Sequence, residues 1–111
     1  MAGAIIERLA GPTLIEDGAD ATLYTATSKT LIRTIDIGVV VAELADTGYV
    51  GVNGLGSQNG FFLFSLDAVA HFQWRGGMVL NAGDTISTGV DTTTAADYTI
   101  TICGVTNLPA D

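Results

Sequence analysis

From Ala21 onward, apolar and polar positions alternate with period two and are punctuated by short clusters of glycine, serine, asparagine and aspartate. That pattern predicts short strands of an antiparallel sandwich or barrel. Ala21 to Thr27 (ATLYTAT) is the first run, and Ser28-Lys29 turns it into Thr30 to Val41 (TLIRTIDIGVVV). Strict alternation there places Leu31, Arg33, Ile35 and Ile37 on one face and Thr30, Ile32, Thr34 and Asp36 on the other, with Gly38 marking a bulge or bend. Glu43 to Thr47 is a polar connection. Gly48 to Leu55 reads as a glycine-broken strand with Tyr49 and Val52 as core candidates. Gly56-Ser57-Gln58-Asn59-Gly60 reads as a turn, because Asn-Gly favours the positive φ of tight hairpins.

Phe61 to Val69 is the most apolar run. Phe61, Leu63 and Ser65 oppose Phe62, Phe64 and Leu66, and both sets are largely apolar. This strand is expected to be buried on both sides, one against the core and one against a partner subunit, and the pattern does not say which is which. In His71 to Arg75, Phe72 and Trp74 point one way and His71, Gln73 and Arg75 the other. Gly76-Gly77 is a turn or bulge before Met78 to Leu80, Asn81 to Asp84 is a turn, and Thr85 to Val90 is a short strand. After the Thr/Ala loop from Asp91 to Ala96, Asp97 to Val105 closes the domain with Tyr98, Ile100 and Ile102 facing in. The expected core is Leu23, Ile35, Ile37, Phe72, Trp74, Tyr98, Ile100 and Ile102. The expected fold class is all-β, a single-domain β-sandwich or jelly roll of seven or eight strands.

Residues 1–20 differ. Ala4-Ile5-Ile6-Glu7-Arg8-Leu9 is a short apolar piece, followed by Gly11-Pro12, Thr13-Leu14-Ile15 and the acidic turn Glu16-Asp17-Gly18. This reads as an extended N-terminal arm (1–20) leading into a sandwich domain (21–111), with a first strand of the sandwich itself as the alternative. Five apolar side chains on such an arm gain nothing while exposed, whereas each is worth about 1.5–3 kcal/mol when buried. Ile5, Ile6, Leu9, Leu14 and Ile15 are therefore expected to lie against another chain, by strand addition. Phe62, Phe64 and Leu66 are candidates for the same role on the apolar strand.

Composition narrows the function. Hydrophobic residues make up 48% of the 111 positions and charged residues only 14%, which suits a surface partly covered in an assembly. The formal net charge is -8, and Arg8, Lys29, Arg33 and Arg75 are the only fixed cations. Four scattered cations cannot build a phosphate-binding patch, and an acidic field repels nucleic acid and anionic membranes alike. The N-terminus does not read as a signal peptide, and no run approaches the ~18–20 apolar residues of a spanning helix. Cys103 is the single cysteine, expected as a small strand residue in a chain made in a reducing cytosol.

Candidate chemistry is sparse. His71 stands alone, on an outward strand face, where a surface or interface role is the plain reading. Asp84, Asp91 and Asp97 could hold calcium, although loop aspartates more often cap turns. Twelve acidic residues guarantee some carboxylate pairs by chance, so a pair alone does not mark a glycosidase. Gly51-Val52-Asn53-Gly54-Leu55-Gly56 lacks the Lys-Ser/Thr of a phosphate loop. Trp74, Tyr49 and Tyr24 could form a sugar platform, or belong to the core. No catalytic, metal or cofactor site is expected.

Ala21-Thr22-Leu23-Tyr24-Thr25-Ala26, a short turn, then Thr30-Leu31-Ile32-Arg33-Thr34-Ile35 resembles a motif of small tailed-bacteriophage virion proteins, in which a "tLYTa" strand leads into an "iRsI" strand. Leu80-Asn81-Ala82-Gly83-Asp84-Thr85-Ile86 and Tyr98-Thr99-Ile100-Thr101-Ile102-Cys103-Gly104-Val105 look like the closing "L.aGDtI" turn and final strand of the same proteins. The resemblance spans most of residues 21–106 and leaves Gly48 to Arg75 unmatched. It implies a non-enzymatic β-sandwich made in the host cytoplasm and placed on the outer capsid surface as a decoration (cement) protein. Its implied partners are the major capsid protein and further copies of itself, as a homo-oligomer and above all a trimer. A tail- or fibre-associated adhesin that binds a host glycan is the alternative the motifs leave open.

Overall fold

The computed structural model describes residues 5–109. Among these, eight strands form: β1 (Glu7–Ile15), β2 (Ala21–Thr25), β3 (Thr30–Val41), β4 (Thr47–Val52), β5 (Gly60–Ser65), β6 (His71–Leu80), β7 (Thr85–Gly89) and β8 (Asp97–Val105). A single 3-10 turn, Ser57–Asn59, lies between β4 and β5. The strands make two four-stranded antiparallel sheets, ordered β1-β8-β3-β6 (sheet A) and β2-β7-β4-β5 (sheet B). Every connection except β4–β5 crosses from one sheet to the other. The result is the eight-stranded jelly roll, a form of the β-sandwich that the alternation predicts.

The core is the space between the sheets. Ile32, Ile35, Ile37 and Val39 of β3 and Tyr98, Ile100 and Ile102 of β8 meet Val50, Phe64 and Ile86 of sheet B. Five of the expected core residues (Ile35, Ile37, Tyr98, Ile100 and Ile102) are fully buried, while Leu23, Phe72 and Trp74 pack half-buried around the rim.

One phase differs from strict alternation. Thr30 and Ile32 are fully buried, on the same side as Ile35 and Ile37. Ile32 pairs with Gly104 and Thr34 with the adjacent Cys103, so Arg33 is an extra residue against β8. On the other side, the β6 partners of Ile32 and Thr34 are Met78 and Arg75, which leaves Gly76 and Gly77 opposite Arg33. An extra residue reverses the inward phase, and β6 runs through Gly76-Gly77 as one strand. Gly38 stays in register between His71 and Thr99 and is not the bulge. The β4–β5 turn is also built differently from an Asn-Gly hairpin. Positive φ falls at Asn53 (58°) and Gly56 (97°), whereas Gly60 has an extended φ of -75°.

The N-terminal segment follows the alternative to a free arm. Glu7–Ile15 pairs with β8 of its own chain, from Glu7 opposite Gly104 to Ile15 opposite Tyr98, and forms an edge of sheet A. The pairing is interrupted twice, between Arg8 and Ala10 and between Ala10 and Thr13. At Gly11 (φ 87°) a Cβ would stand 2.2 Å from the Ile100 carbonyl oxygen, so only glycine fits. Pro12 has no N–H to offer a neighbour, and bulges with proline are how natural edge strands avoid adventitious pairing. The part of the arm expectation that concerns residues 1–4 lies outside the described residues.

One polar link joins the two sheets through the core. The Thr88 hydroxyl donates to the Tyr49 carbonyl at 2.7 Å, and its oxygen lies 2.8 Å from the Tyr98 hydroxyl. With the threonine proton committed, the tyrosine donates. Burial pushes the Tyr98 phenol well above its ordinary value of 10.0. The folded chain therefore keeps a proton that the unfolded chain loses above about pH 10, and stability falls as pH rises past that point. Unfolding by guanidinium across the alkaline range should show this decline, and Tyr98→Phe should make it shallower. At neutral pH, Ile102→Ala should lower stability by about 2–5 kcal/mol, as expected for a fully buried aliphatic side chain.

Candidate functional site: a sheet face and a loop end

The pairing registers fix where the loops go. Ile15, Val41, His71 and Asp97 lie at one end of sheet A, and Ala21, Thr47, Ser65 and Gly89 at the same end of sheet B. The β1–β2, β3–β4, β5–β6 and β7–β8 loops therefore gather together. They carry Glu16, Asp17 and Asp20, then Glu43 and Asp46, then Asp67, then Asp91, with Asp97 at the start of β8. These are eight of the twelve carboxylates, and no lysine or arginine lies among them. Lys29 lies in the β2–β3 turn at the opposite end, and Arg8, Arg33 and Arg75 lie on sheet A.

The outer face of sheet A is the second surface. Arg8 pairs with Cys103, Cys103 with Thr34, and Thr34 with Arg75. Paired residues share a face, so this is one row across all four strands, with arginine on both edges and small residues in the middle. Arg33 at the bulge, Arg75, Thr34, Gly76 and Ile6 line an open groove of about 400 Å³. Gln73 donates to Asp36 at 2.6 Å and accepts from the Arg75 Nε, so the carboxylate on this face is engaged. His71 is exposed on the same face.

Part of the outer face of sheet B is covered by its own chain. The segment around Gly54 to Asn59 folds over Tyr49 and Ser87. The Gly56 N–H donates to the Tyr49 hydroxyl at 2.8 Å, and the Ser87 hydroxyl donates to the Gly54 carbonyl at 2.6 Å. Asp91 accepts from both the N–H and the hydroxyl of Ser57. Tyr49 donates to Asp20 at 2.9 Å. Burial first, and then the Asp20 carboxylate, raise the Tyr49 phenol above its ordinary value, against the opposing Gly56 N–H. At Gly89 a Cβ would stand 1.9 Å from a carboxylate oxygen of Asp20 and 3.0 Å from its Cα, so a side chain there would displace the carboxylate that Tyr49 holds. A shallow cavity of about 290 Å³ beside this segment is lined by Asp46, Tyr49, Leu63 and Asp91 among others.

The eight residues expected to contact a partner divide. Ile5, Ile6 and Leu14 are exposed, at 79%, 55% and 51%. Leu9 and Phe62 are half-buried and pack against the core. Ile15, Phe64 and Leu66 are buried within the chain's own core and cannot meet a partner without unfolding. Phe62 and Phe64 of β5, with Leu66 just past its end, form the inward set, and the outward Leu63 remains 59% exposed. Phe61 lies at a register shift against β4 and stacks edge-on against Trp74, with ring centres 5.4 Å apart. Trp74 and Tyr24 are half-buried against the core and Tyr49 is covered, so the three aromatics form no open platform.

The three aspartates considered for calcium are not brought together. Asp84 caps its own turn through the Asn81 N–H (2.8 Å), at the end opposite Asp91, while Asp97 accepts the Asp17 N–H (2.9 Å). Among the described residues, no group of three His, Cys, Asp or Glu could hold a metal ion. The charge segregation escaped the sequence reading because it follows from loop placement. The one available signal was that acidic residues concentrate in alternate loops.

Fold and surfaces together define a β-sandwich whose distinctive features are external faces. Neither a protein-family model nor a curated protein sequence matches the chain. Its fold is similar to that of a chain in the acidic stable capsid structure of Helicobacter pylori bacteriophage KHP30. The TM-score is 0.67 and the identity 12%, over 96% of this chain and 95% of that one.

Two substitutions separate core from surface. Phe64→Ala should cost about 3–5 kcal/mol of stability, whereas Leu14→Ser should stay within about 0.5 kcal/mol of the parent. Guanidinium unfolding of the purified variants measures both.

Proposed function

We propose that the chain is a bacteriophage virion structural protein that binds and stabilises the outer capsid surface as an oligomeric decoration (cement) subunit. The observation that carries this reading is the end-to-end similarity of fold to a chain of nearly equal length in a phage capsid structure. The strand motifs from Ala21 to Ile35 and from Leu80 to Val105 point the same way. In this reading the protein is not an enzyme and uses no cofactor. Its partners are the major capsid protein and its own copies, arranged as a trimer, and repeated weak contacts add through avidity.

The attachment device is the chain ahead of β1, shorter than the 1–20 arm. Ile5 and Ile6 are exposed side by side, and each contributes about 1.5–3 kcal/mol if a neighbour buries it. A glycan-binding adhesin fits less well, since the aromatics it would use are covered or held against the core. Deleting residues 2–6 should leave β1 and the melting temperature intact but abolish binding to capsids stripped of decoration. Cosedimentation with such capsids measures this, and full binding by the truncated protein would show that the segment is not the anchor. No binding by the intact protein would remove the capsid reading itself.

A further inference from the structure

We propose that the outer face of sheet A receives the carboxylate-rich loop end of a second copy of this chain, in a head-to-face contact. The inference deepens the reading above and rests on it only in taking the protein to be an oligomer. The face carries Arg8, Arg33 and Arg75, three of the four fixed cations of a chain whose net charge is -8. The row Arg8–Cys103–Thr34–Arg75 is low in the middle and high at both edges, so an incoming loop can approach the sheet between the guanidinium groups. The face's own carboxylate, Asp36, is held by Gln73, and Glu7 at its border accepts the Thr106 hydroxyl at 2.9 Å.

The complementary surface belongs to the same chain. The loop end bears eight carboxylates and no lysine or arginine. From Cys103 to Asp97 along β8 is about 20 Å at strand rise, well beyond the ~8 Å over which physiological salt leaves charges coupled. The two regions therefore do not neutralise each other within one molecule. Spread evenly, the net charge would keep copies apart, whereas in this arrangement the unlike patches attract on contact. Both surfaces also expose apolar side chains to bury. Val79 lies on the face, and Leu44 and Val69 lie in the loops. Because the two patches differ, each copy uses both, and such a heterologous contact forms a ring, the proposed trimer among them, when the rotation between copies closes.

Sedimentation equilibrium of the full-length protein at low and high salt tests the contact. The wild type should associate at low salt and dissociate as salt rises. Arg33→Glu with Arg75→Glu, and separately Glu43→Lys with Asp46→Lys, should each weaken association by about tenfold or more. All four positions lie on the surface or in a loop, and unchanged melting temperatures would show that the variants fold. Arg33→Lys with Arg75→Lys should retain association. Mixing the two charge-reversed proteins should produce a one-to-one complex, because each keeps one intact patch. Association unaffected by either reversal, a mixture that stays monomeric, or a wild type that is monomeric at low salt and micromolar concentration would each overturn the proposal. If that monomer still bound stripped capsids, the decoration reading would stand while this one fell. Salt-sensitive association by a protein that ignores capsids would do the reverse.

Discussion

Burial of the inner faces of β3 and β8 is the constraint from which the rest of the molecule follows. These two long strands pair at the centre of sheet A, and their inward residues Ile32, Ile35, Ile37, Val39, Tyr98, Ile100 and Ile102 have almost no solvent contact. Antiparallel pairing alone would allow other registers, and inward alternation excludes them, since a slip of one residue would turn Ile100 and Ile102 to water. The Arg33 bulge keeps that pattern consistent along β3, by resetting the phase so that Ile32 and Ile35 both reach the core. It also brings an arginine to the outer face next to Thr34, so one irregularity serves packing inside and charge placement outside.

Jelly-roll winding converts this core into a polarised surface. Strands that cross repeatedly between the sheets deliver four loops to one end, and the carboxylates of this sequence fall mainly in those loops. The sheet faces differ for the same reason. The segment from Gly54 to Asn59, held through Tyr49, Ser87 and Asp91, covers part of sheet B, whereas sheet A carries a row of small residues, Cys103 and Thr34, edged with arginine. The informative residues are those that remain exposed after the core is satisfied.

The sequence by itself determined the all-β class, most strand positions and the inward set of the last strand, because period-two alternation is a local property that the backbone geometry of a strand imposes on every face it buries. Tyr98, Ile100 and Ile102 were legible on those grounds. Only the tertiary structure decided the fate of residues whose role depends on what lies opposite them. Phe62, Phe64 and Leu66 alternate with an almost equally apolar set, so the pattern could not say which side was core until sheet A was laid against them. Ile15 and its segment could pair with another chain or with β8, and the free edge of β8 settled that choice. Strict alternation puts Arg33 on the face of Ile35 and Ile37, whereas Ile32 takes that side in the structure, because a bulge depends on the register of both neighbouring strands. Asp20 with Tyr49 and Asp91 with Ser57 are 29 and 34 residues apart in sequence, and local pattern carries no information about contacts made by winding. The segregation of charge between a sheet face and a loop end belongs to the same class, since topology alone determines which loops share an end.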